Sequence, residues 1–345
     1  MNSSDNYHFA LLGSGFVARL YTKAIHGCPN AEIGRVVVSE RSFGRKSALA
    51  LELGVDEKII SNRYEEILQD PEIDVVVIAT PNQLHGDQMR KCISAGKHFI
   101  VEKPVVCNYG QLRDILPILR ECPVKSLSGQ VLRYSKCFQT AKELVSSGQL
   151  GDIMFVGSQY VVNAVNAVRQ NRKPWWGSTE NVEFAVIGAG IHSVDLMRWI
   201  AGEVEEVHAL GHKAILKEQP YHDTVAATLR FRSGAVGELF VGFAAQCPAA
   251  ATLSVYGAEG TLVNNRLFLN SIPNLEDFFE LPVPQLSFDN LGFPQLIAHM
   301  IECLEDGCQP ISDAYDACKS AAVCLAIAKS IEQKRPVRMA EMLGE

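Results

Sequence analysis

FALLGSGFVARLYTKAI, residues 9–25, reads as an apolar strand, a glycine turn and a helix. The strand covers about His8 to Leu12, and the helix begins near Phe16. Between them Gly13-Ser14-Gly15-Phe16-Val17-Ala18 fits G-x-G-x-x-(G/A) in the strand–turn–helix context that the motif requires. Gly13 permits the tight turn. Gly15 has no side chain to block a pyrophosphate, and Ala18 lets helix and strand pack closely. The unpaired N–H groups and partial positive charge of the helix N-terminus then face an anion. Gly13, Ser14, Gly15, Phe16 and Val17 are thus predicted to hold a dinucleotide.

The pattern continues outward from this turn. AEIGRVVVS is a second strand ending near Ser39, and SFGRKSALALEL reads as a helix. NRYEEILQD is a further helix, in which Asn62 and Glu65 have the spacing of a capping box. DVVVIATP, residues 74–81, is an unbroken apolar strand, as expected of one buried on both faces. KHFIVEKP is the next strand, and VKSLSGQV closes the series. Strand and helix alternate about five times, which predicts a parallel sheet covered by helices. Ligands of such sheets bind at the carboxyl ends of the strands. In VEKPVV, residues 101–106, Lys103 stands at such an end, with Glu102 before it and Pro104 behind it.

The second strand runs into Glu40 and Arg41, about twenty residues beyond Ala18. A carboxylate there accepts hydrogen bonds from the adenosine ribose hydroxyls and repels a 2′-phosphate. Glu40 favours NAD. Arg41, Ser42 and Arg45 pull towards NADP, although Arg41 could instead lie on the adenine face. NAD is the predicted cofactor.

After Gly151 the pattern changes. DIMFVGSQYVVNAV, EEVHALGHKAIL, TVAATLRFRS and AVGELFVGFAAQ are long strands, and Ser233-Gly234 joins the last two as a hairpin. A helical insertion contains AGIHSVDLMRWIAG, two late helices lie near Phe293–Glu305 and Ala314–Gln333, and Pro282–Pro294 reads as a loop. A largely antiparallel sheet leaves one face to be covered. A second copy of the chain is one way to cover it, so a homo-oligomer is expected.

The glycine turn, ATPNQLH at 79–85, EKP at 102–104 and GAGIHSVDLMRWIAG at 188–202 occur in one order over nearly the whole chain. This layout resembles the Gfo/Idh/MocA family of NAD(P)-dependent sugar and polyol oxidoreductases. The resemblance implies an α/β fold: a Rossmann domain over residues 1–127, then an α+β substrate and oligomerisation domain over 128–345 with a large, open, mostly antiparallel sheet. It implies dimers or tetramers. By resemblance Lys103 touches both the nicotinamide and the reacting hydroxyl, and the Lys103–Pro104 bond is cis. A cation beside the charged nicotinamide ring is easier to deprotonate. Glu102 is its neighbour, Thr80, Pro81 and Asn82 lie along the cofactor, and His85 lies on the nicotinamide side. His192 is the acid/base residue, since imidazole takes a proton near neutral pH.

One position departs from the pattern. The family has an aspartate four residues before the histidine, and here that position is Gly188. Asp195, Glu183, Asn181 and Asn163 are candidates to replace it. Alternatively the substrate is less hydroxylated, or the chain is a catalytically weak dinucleotide-binding regulator, or it reduces a conjugated or imine-like substrate in the manner of biliverdin reductase. The segment Tyr160–Asn181 is rich in amides, arginines and tryptophans. Amides read hydroxyls, and guanidinium groups read carboxylates or phosphates. Tryptophan rings stack on the apolar face of a sugar. Asn163, Arg172 and Trp176, with Lys103, His192 and Asp195, are the expected substrate contacts, and Arg133 and Tyr134 would line the same cleft. The expected substrate is a sugar, sugar acid or cyclitol.

Bulk properties exclude other classes. The net charge of −7 argues against nucleic-acid or anionic-membrane partners, which need a basic surface. Residues 1–7 show no signal-peptide pattern, and no apolar run approaches the ~20 residues of a membrane span. The ten cysteines form no CxxC pair and no Cys/His metal spacing. No metal is expected, and Cys303 with Cys308 and Cys318 with Cys324 read as small buried side chains. Free thiols without an export signal fit the cytoplasm.

Overall fold

The computed structural model of the chain describes residues 6–283 and 291–344. Two compact units are present. The first comprises Met1–Val106, Asp114–Val131 and Gly292–Ala317; the second comprises Cys107–Arg113, Leu132–Leu291 and Cys318–Glu345. The division is therefore discontinuous in sequence, and a single cut after residue 127 does not describe it.

In the first unit, β1 (Tyr7–Leu12), β2 (Ala31–Val37), β3 (Ile60–Ser61), β4 (Val75–Ile78), β5 (His98–Val101) and β6 (Ser126–Ser128) form one sheet in the order β3-β2-β1-β4-β5-β6. Every neighbouring pair is parallel. All four residues of β4 are buried, as its unbroken Val75-Val76-Val77-Ile78 run requires of a central strand. The helices are α1 (Phe16–His26), α2 (Glu40–Phe43), α3 (Lys46–Leu53), α4 (Tyr64–Gln69) and α5 (His85–Ser94). Helix α1 buries Ala18, Tyr21, Thr22 and Ile25, the stripe expected at helical spacing. Two expectations are corrected. The stretch read as one helix is two, α2 and α3, separated at Gly44 and Arg45. Asn62 caps nothing: α4 starts after Arg63, and the Asn62 amide donates instead to the Glu40 carboxylate, a stronger charge-assisted bond.

Helix α6 (Tyr109–Arg120) straddles the boundary between the units. The second unit adds α7 (Lys136–Ser146), α8 (Val165–Arg169) and α9 (Ile191–Ala201). Its sheet contains β7 (Ile153–Val161), β8 (Val204–His212), β9 (Thr224–Phe231), β10 (Val236–Gly242), β11 (Ala250–Gly257), β12 (Gly260–Val263), β13 (Arg266–Leu269), β14 (Phe279–Glu280) and β15 (Val337–Arg338). The order is β14-β13-β12-β11-β7-β10-β9-β8-β15, antiparallel except between β7 and β10. Buried and exposed residues alternate along β9, so one face is packed and the other open. Register sets Leu210, Ala226 and Phe240 side by side on the open face, and likewise Val236, Phe155 and Tyr256. Leu210 is 72% exposed.

Helix α10 (Phe293–Glu305) returns to the first unit, where it packs on α1 with Phe293 edge-on to Tyr21 at 5.0 Å between centroids. The predicted 282–294 loop lies largely outside the described residues, and its last two, Phe293 and Pro294, begin α10. Helices α11 (Ala314–Gln333) and α12 (Ala340–Leu343) complete the chain. Among the described residues no helix is long and apolar enough to cross a membrane.

Candidate active site

The glycine turn follows β1 at the carboxyl edge of the first sheet. The strand order reverses between β1 and β4, the point at which open α/β sheets bind ligands. Gly13 has φ +119°, and a Cβ there would run into the Ala79 carbonyl. A Cβ at Gly15 would meet nothing within 4 Å. No side chain caps the N-terminus of α1. Open space beside unpaired helix N–H groups fits a pyrophosphate. Ser14 donates to Ser42 at 3.3 Å, which links the turn to α2, the short helix after β2. Phe16 is exposed at the helix start and Val17 half-buried. Glu40 opens α2, exposed and accepting from Asn62, with Arg41 exposed beside it. Arg45 is paired with Glu52 at 2.6 Å.

Three strand ends place the neighbouring residues. After β4, Thr80 donates to Gln88 at 2.6 Å, Pro81 precedes a short 3-10 turn, and Asn82 is buried. After β5, Glu102 is 6% exposed; its Oε1 accepts from the Tyr21 hydroxyl at 3.0 Å and its Oε2 from the Lys103 backbone N–H at 3.1 Å. The Lys103–Pro104 bond is cis. After β6, Gly129 leaves the room that Glu102 occupies, since a Cβ there would press into its carboxylate. Gln130 follows, two residues beyond the Val101–Ser128 pair just as Lys103 is. It is 1% exposed, and neither atom of its amide has a hydrogen-bond partner among the described residues. Sequence reasoning missed Gln130, because nothing local marks that a glutamine after a strand will be buried.

His85 is fully enclosed, with Nδ1 2.9 Å from the Pro104 carbonyl and Nε2 3.0 Å from that of Thr80. It pins the loop after β4 to the loop after β5. Burial holds its pKa below the ordinary 6.5, and the two carbonyls only partly oppose this. The unfolded chain therefore takes up a proton near pH 6.5 that folded His85 does not. The stability this neutral imidazole confers is present above that pH and is lost as pH falls below it. We expect thermal midpoints measured between about pH 7 and about pH 5 to fall, and His85→Asn to flatten that fall. Parallel curves for the two proteins would refute the assignment.

In the second unit, a π-helical turn over Ala185–Gly190 runs into α9, whose second residue is His192. Glycine lets this turn approach the sheet: a Cβ on Gly190 would stand 2.6 Å from Val241. The Ser158 hydroxyl of β7 is hydrogen-bonded to that of Ser193 at 2.7 Å, and the Tyr160 ring stacks on the His192 imidazole at 5.6 Å and 25°. Strand β7 thus sets both the depth of α9 and the plane of the imidazole. A Cβ at Gly188 would lie 2.5 Å from the Phe184 ring, which packs with Trp176, Tyr221 and Phe243. An aromatic side chain fills the place where a carboxylate would stand.

The candidates for that carboxylate are engaged elsewhere. Asp195 is 1% exposed and clamped by Arg133, with Nε–Oδ2 and Nη2–Oδ1 both 2.7 Å. Ser320 donates to the same Oδ1 at 2.8 Å. Both carboxylate oxygens thus serve this buried ion pair, and the expected cleft residue Arg133 is part of it. Glu183 accepts from the His222 backbone and from its ring Nδ1. Asn163 donates to Gln246 and Asn181 to the Trp175 carbonyl. Arg172 is exposed and bonds Gln170, while Trp176 belongs to the aromatic cluster with Lys173 over its ring at 4.7 Å.

Two family models cover most of this framework. Residues 7–129 match the oxidoreductase family with an NAD-binding Rossmann fold, and residues 138–263 match the GFO/IDH/MocA C-terminal domain. The chain belongs to the GFO/IDH/MocA oxidoreductases. This family member is 27% identical to scyllo-inositol 2-dehydrogenase (NAD(+)) of Bacillus subtilis strain 168, over 96% of this chain and 95% of that protein. It is 24% identical to 1,5-anhydro-D-fructose reductase of Ensifer adhaerens, over 93% and 95%. Among solved structures, levoglucosan dehydrogenase in complex with NADH and levoglucosan superposes with a TM-score of 0.86 at 22% identity, covering 97% of this chain and 100% of that one.

Proposed function

We propose that this oxidoreductase is an NAD-dependent dehydrogenase or reductase of a secondary carbinol in a sugar, sugar acid or cyclitol. The observation that carries the reading is the position of Lys103, at the same sheet edge as the Gly13–Gly15 turn and held there by Glu102. NAD, when bound, exchanges hydride with the carbinol carbon. Gly13 to Val17 hold the pyrophosphate, and Thr80, Pro81 and Asn82 flank the dinucleotide. The Gln130 amide matches the carboxamide of nicotinamide, one donor and one acceptor on each side. Lys103 holds the substrate oxygen and stabilises its developing charge. His192 takes up or returns the hydroxyl proton. NAD is favoured over NADP because Glu40 would repel a 2′-phosphate, while Arg45 is paired with Glu52.

One observation bears on the substrate. The Phe184 ring beside Gly188 makes that wall apolar, so the substrate carries fewer hydroxyls on the side facing it, and Asn163, Arg172 and Trp176 remain its proposed outer contacts. The open-face stripe of Leu210, Val236 and Tyr256, exposed, with Phe240 and Phe155, half-buried, is proposed to join copies of the chain in a dimer or tetramer.

The test is a fluorescence titration with NADH and NADPH, then a panel of sugars, cyclitols and less hydroxylated cyclic diols followed by reduced-nicotinamide absorbance. NADH is expected to bind at least ~10-fold more tightly, a difference of about 1.4 kcal/mol, with turnover on at least one panel member. Equal or tighter NADPH binding would overturn the cofactor assignment, and binding without turnover would overturn the substrate class. Sedimentation of the same preparation reads the assembly; a monomer would refute the proposed interface.

A further inference from the structure

Helix α10 carries three residues that the proposed reaction does not use. His299 and Cys303 are four apart and so share a helix face. The helix ends at Glu305, and Gly307, at φ +72°, turns the chain so that Cys308 comes back against Cys303. The two sulfurs are 2.9 Å apart. The His299 Nε2 is 3.5 Å from the Cys303 sulfur, and its Nδ1 is 2.8 Å from the Glu302 carboxylate. Nε2 also accepts the Ile311 backbone N–H at 3.1 Å. This pair of contacts fixes the tautomer: Nδ1 bears the proton, held by Glu302, and Nε2 carries the lone pair. Cys303 is buried, while Cys308 is only half-buried.

We infer that Cys303 and Cys308 are a thiol–disulfide site, oxidised by a hydroperoxide, with His299 as the base for Cys303. Cys308, the more accessible sulfur, attacks the peroxide: an S–O bond forms, the O–O bond breaks, and water or an alcohol leaves. Cys303 then attacks the Cys308 sulfur of the resulting sulfenic acid. An S–S bond forms, the S–O bond breaks, and the departing hydroxide receives the Cys303 proton by way of His299. Two thiols lose two electrons in total, and the peroxide gains them. The base has a clear task. Burial, and then the bond with Cys308, push the Cys303 thiol up to about 12, so it needs an acceptor for its proton at neutral pH.

The same three ligand atoms lie close enough together to hold a soft metal ion. The geometry favours the disulfide, because the two sulfurs touch at 2.9 Å, whereas thiolates bound at ~2.3 Å to one tetrahedral ion stand roughly 3.7 Å apart, and the carboxylate of Glu302 is turned to Nδ1.

The experiment treats reduced, full-length protein with hydrogen peroxide, blocks the remaining thiols, and digests it with a protease that cuts after glutamate. Cleavage after Glu305 separates Cys303 from Cys308, so linked fragments stay joined until a reductant is added. The expected result is one joined pair, lighter by two hydrogens, released by dithiothreitol and absent in Cys308→Ser. His299→Gln is expected to slow the second step at least ~10-fold, which a sulfenic-acid trap reads as accumulation at Cys308. Over-oxidation of Cys308 without a joined pair would overturn the proposal. So would stoichiometric zinc in the purified protein that Cys303→Ser or Cys308→Ser releases.

Discussion

Lys103→Ala is expected to lower kcat by about 10³-fold, within the range for loss of a positioned polar catalyst, while NADH affinity changes less than about threefold. The separation follows from how the residue is held. Its backbone N–H is fixed by Glu102, and Glu102 in turn by Tyr21. Truncating the side chain leaves those bonds in place, so the loss reads the ammonium and not a displaced strand end. Lys103→Arg is expected to recover little, because a guanidinium is planar, does not deprotonate and presents its donors in a fixed fork. Steady-state kinetics on the substrate found in the panel, with cofactor titrations alongside, provide the check. Unchanged kcat in Lys103→Ala would remove Lys103 from the reaction.

Asp195→Ala is expected to destabilise the second unit by about 3–5 kcal/mol, the usual result of removing one partner of a buried pair. Arg133 and Asp195 are 3% and 1% exposed and joined by two 2.7 Å bonds, with Ser320 as a third partner. The substitution leaves the guanidinium in a low-dielectric site without its carboxylate. Asp195→Asn keeps an acceptor and is expected to cost less. Urea unfolding followed by tryptophan fluorescence suits the measurement, because Arg133 lies over the Trp199 ring. Unchanged stability together with a raised KM would return Asp195 to the substrate-binding role that its place near His192 first implied.

These two residues mark how far the sequence could be read. The place of Lys103 just beyond a strand end was legible because its signal is local: an apolar run, a charge at its end, a proline behind it. The glycine turn and the alternation of strands and helices are local in the same sense, and the parallel sheet follows from them. The Arg133–Asp195 pair spans sixty-two positions, and no pattern of period two or 3.6 encodes it. The fate of the missing aspartate was illegible for the same reason. That Phe184, four residues away, would cover Gly188 depends on a π-helical turn and on rings from Trp176, Tyr221 and Phe243. Gln130 became visible only through the burial around it.

The return of α10 to the first unit sets an order of events during synthesis. The sheet that carries the glycine turn leaves the ribosome early, ahead of most of the second unit. Yet Phe293 packs on Tyr21, the residue that holds Glu102, and Ser312 bonds the edge of β6 through the Ser128 N–H. A nascent chain without residues 292–317 lacks both supports. Domains generally fold as units from the N-terminus onward, but here the unit that emerges first is completed only by residues 292–317, after most of the second has emerged. A chain cut before residue 292 is therefore expected to hold its glycine-turn sheet less firmly than one that carries residues 292–317.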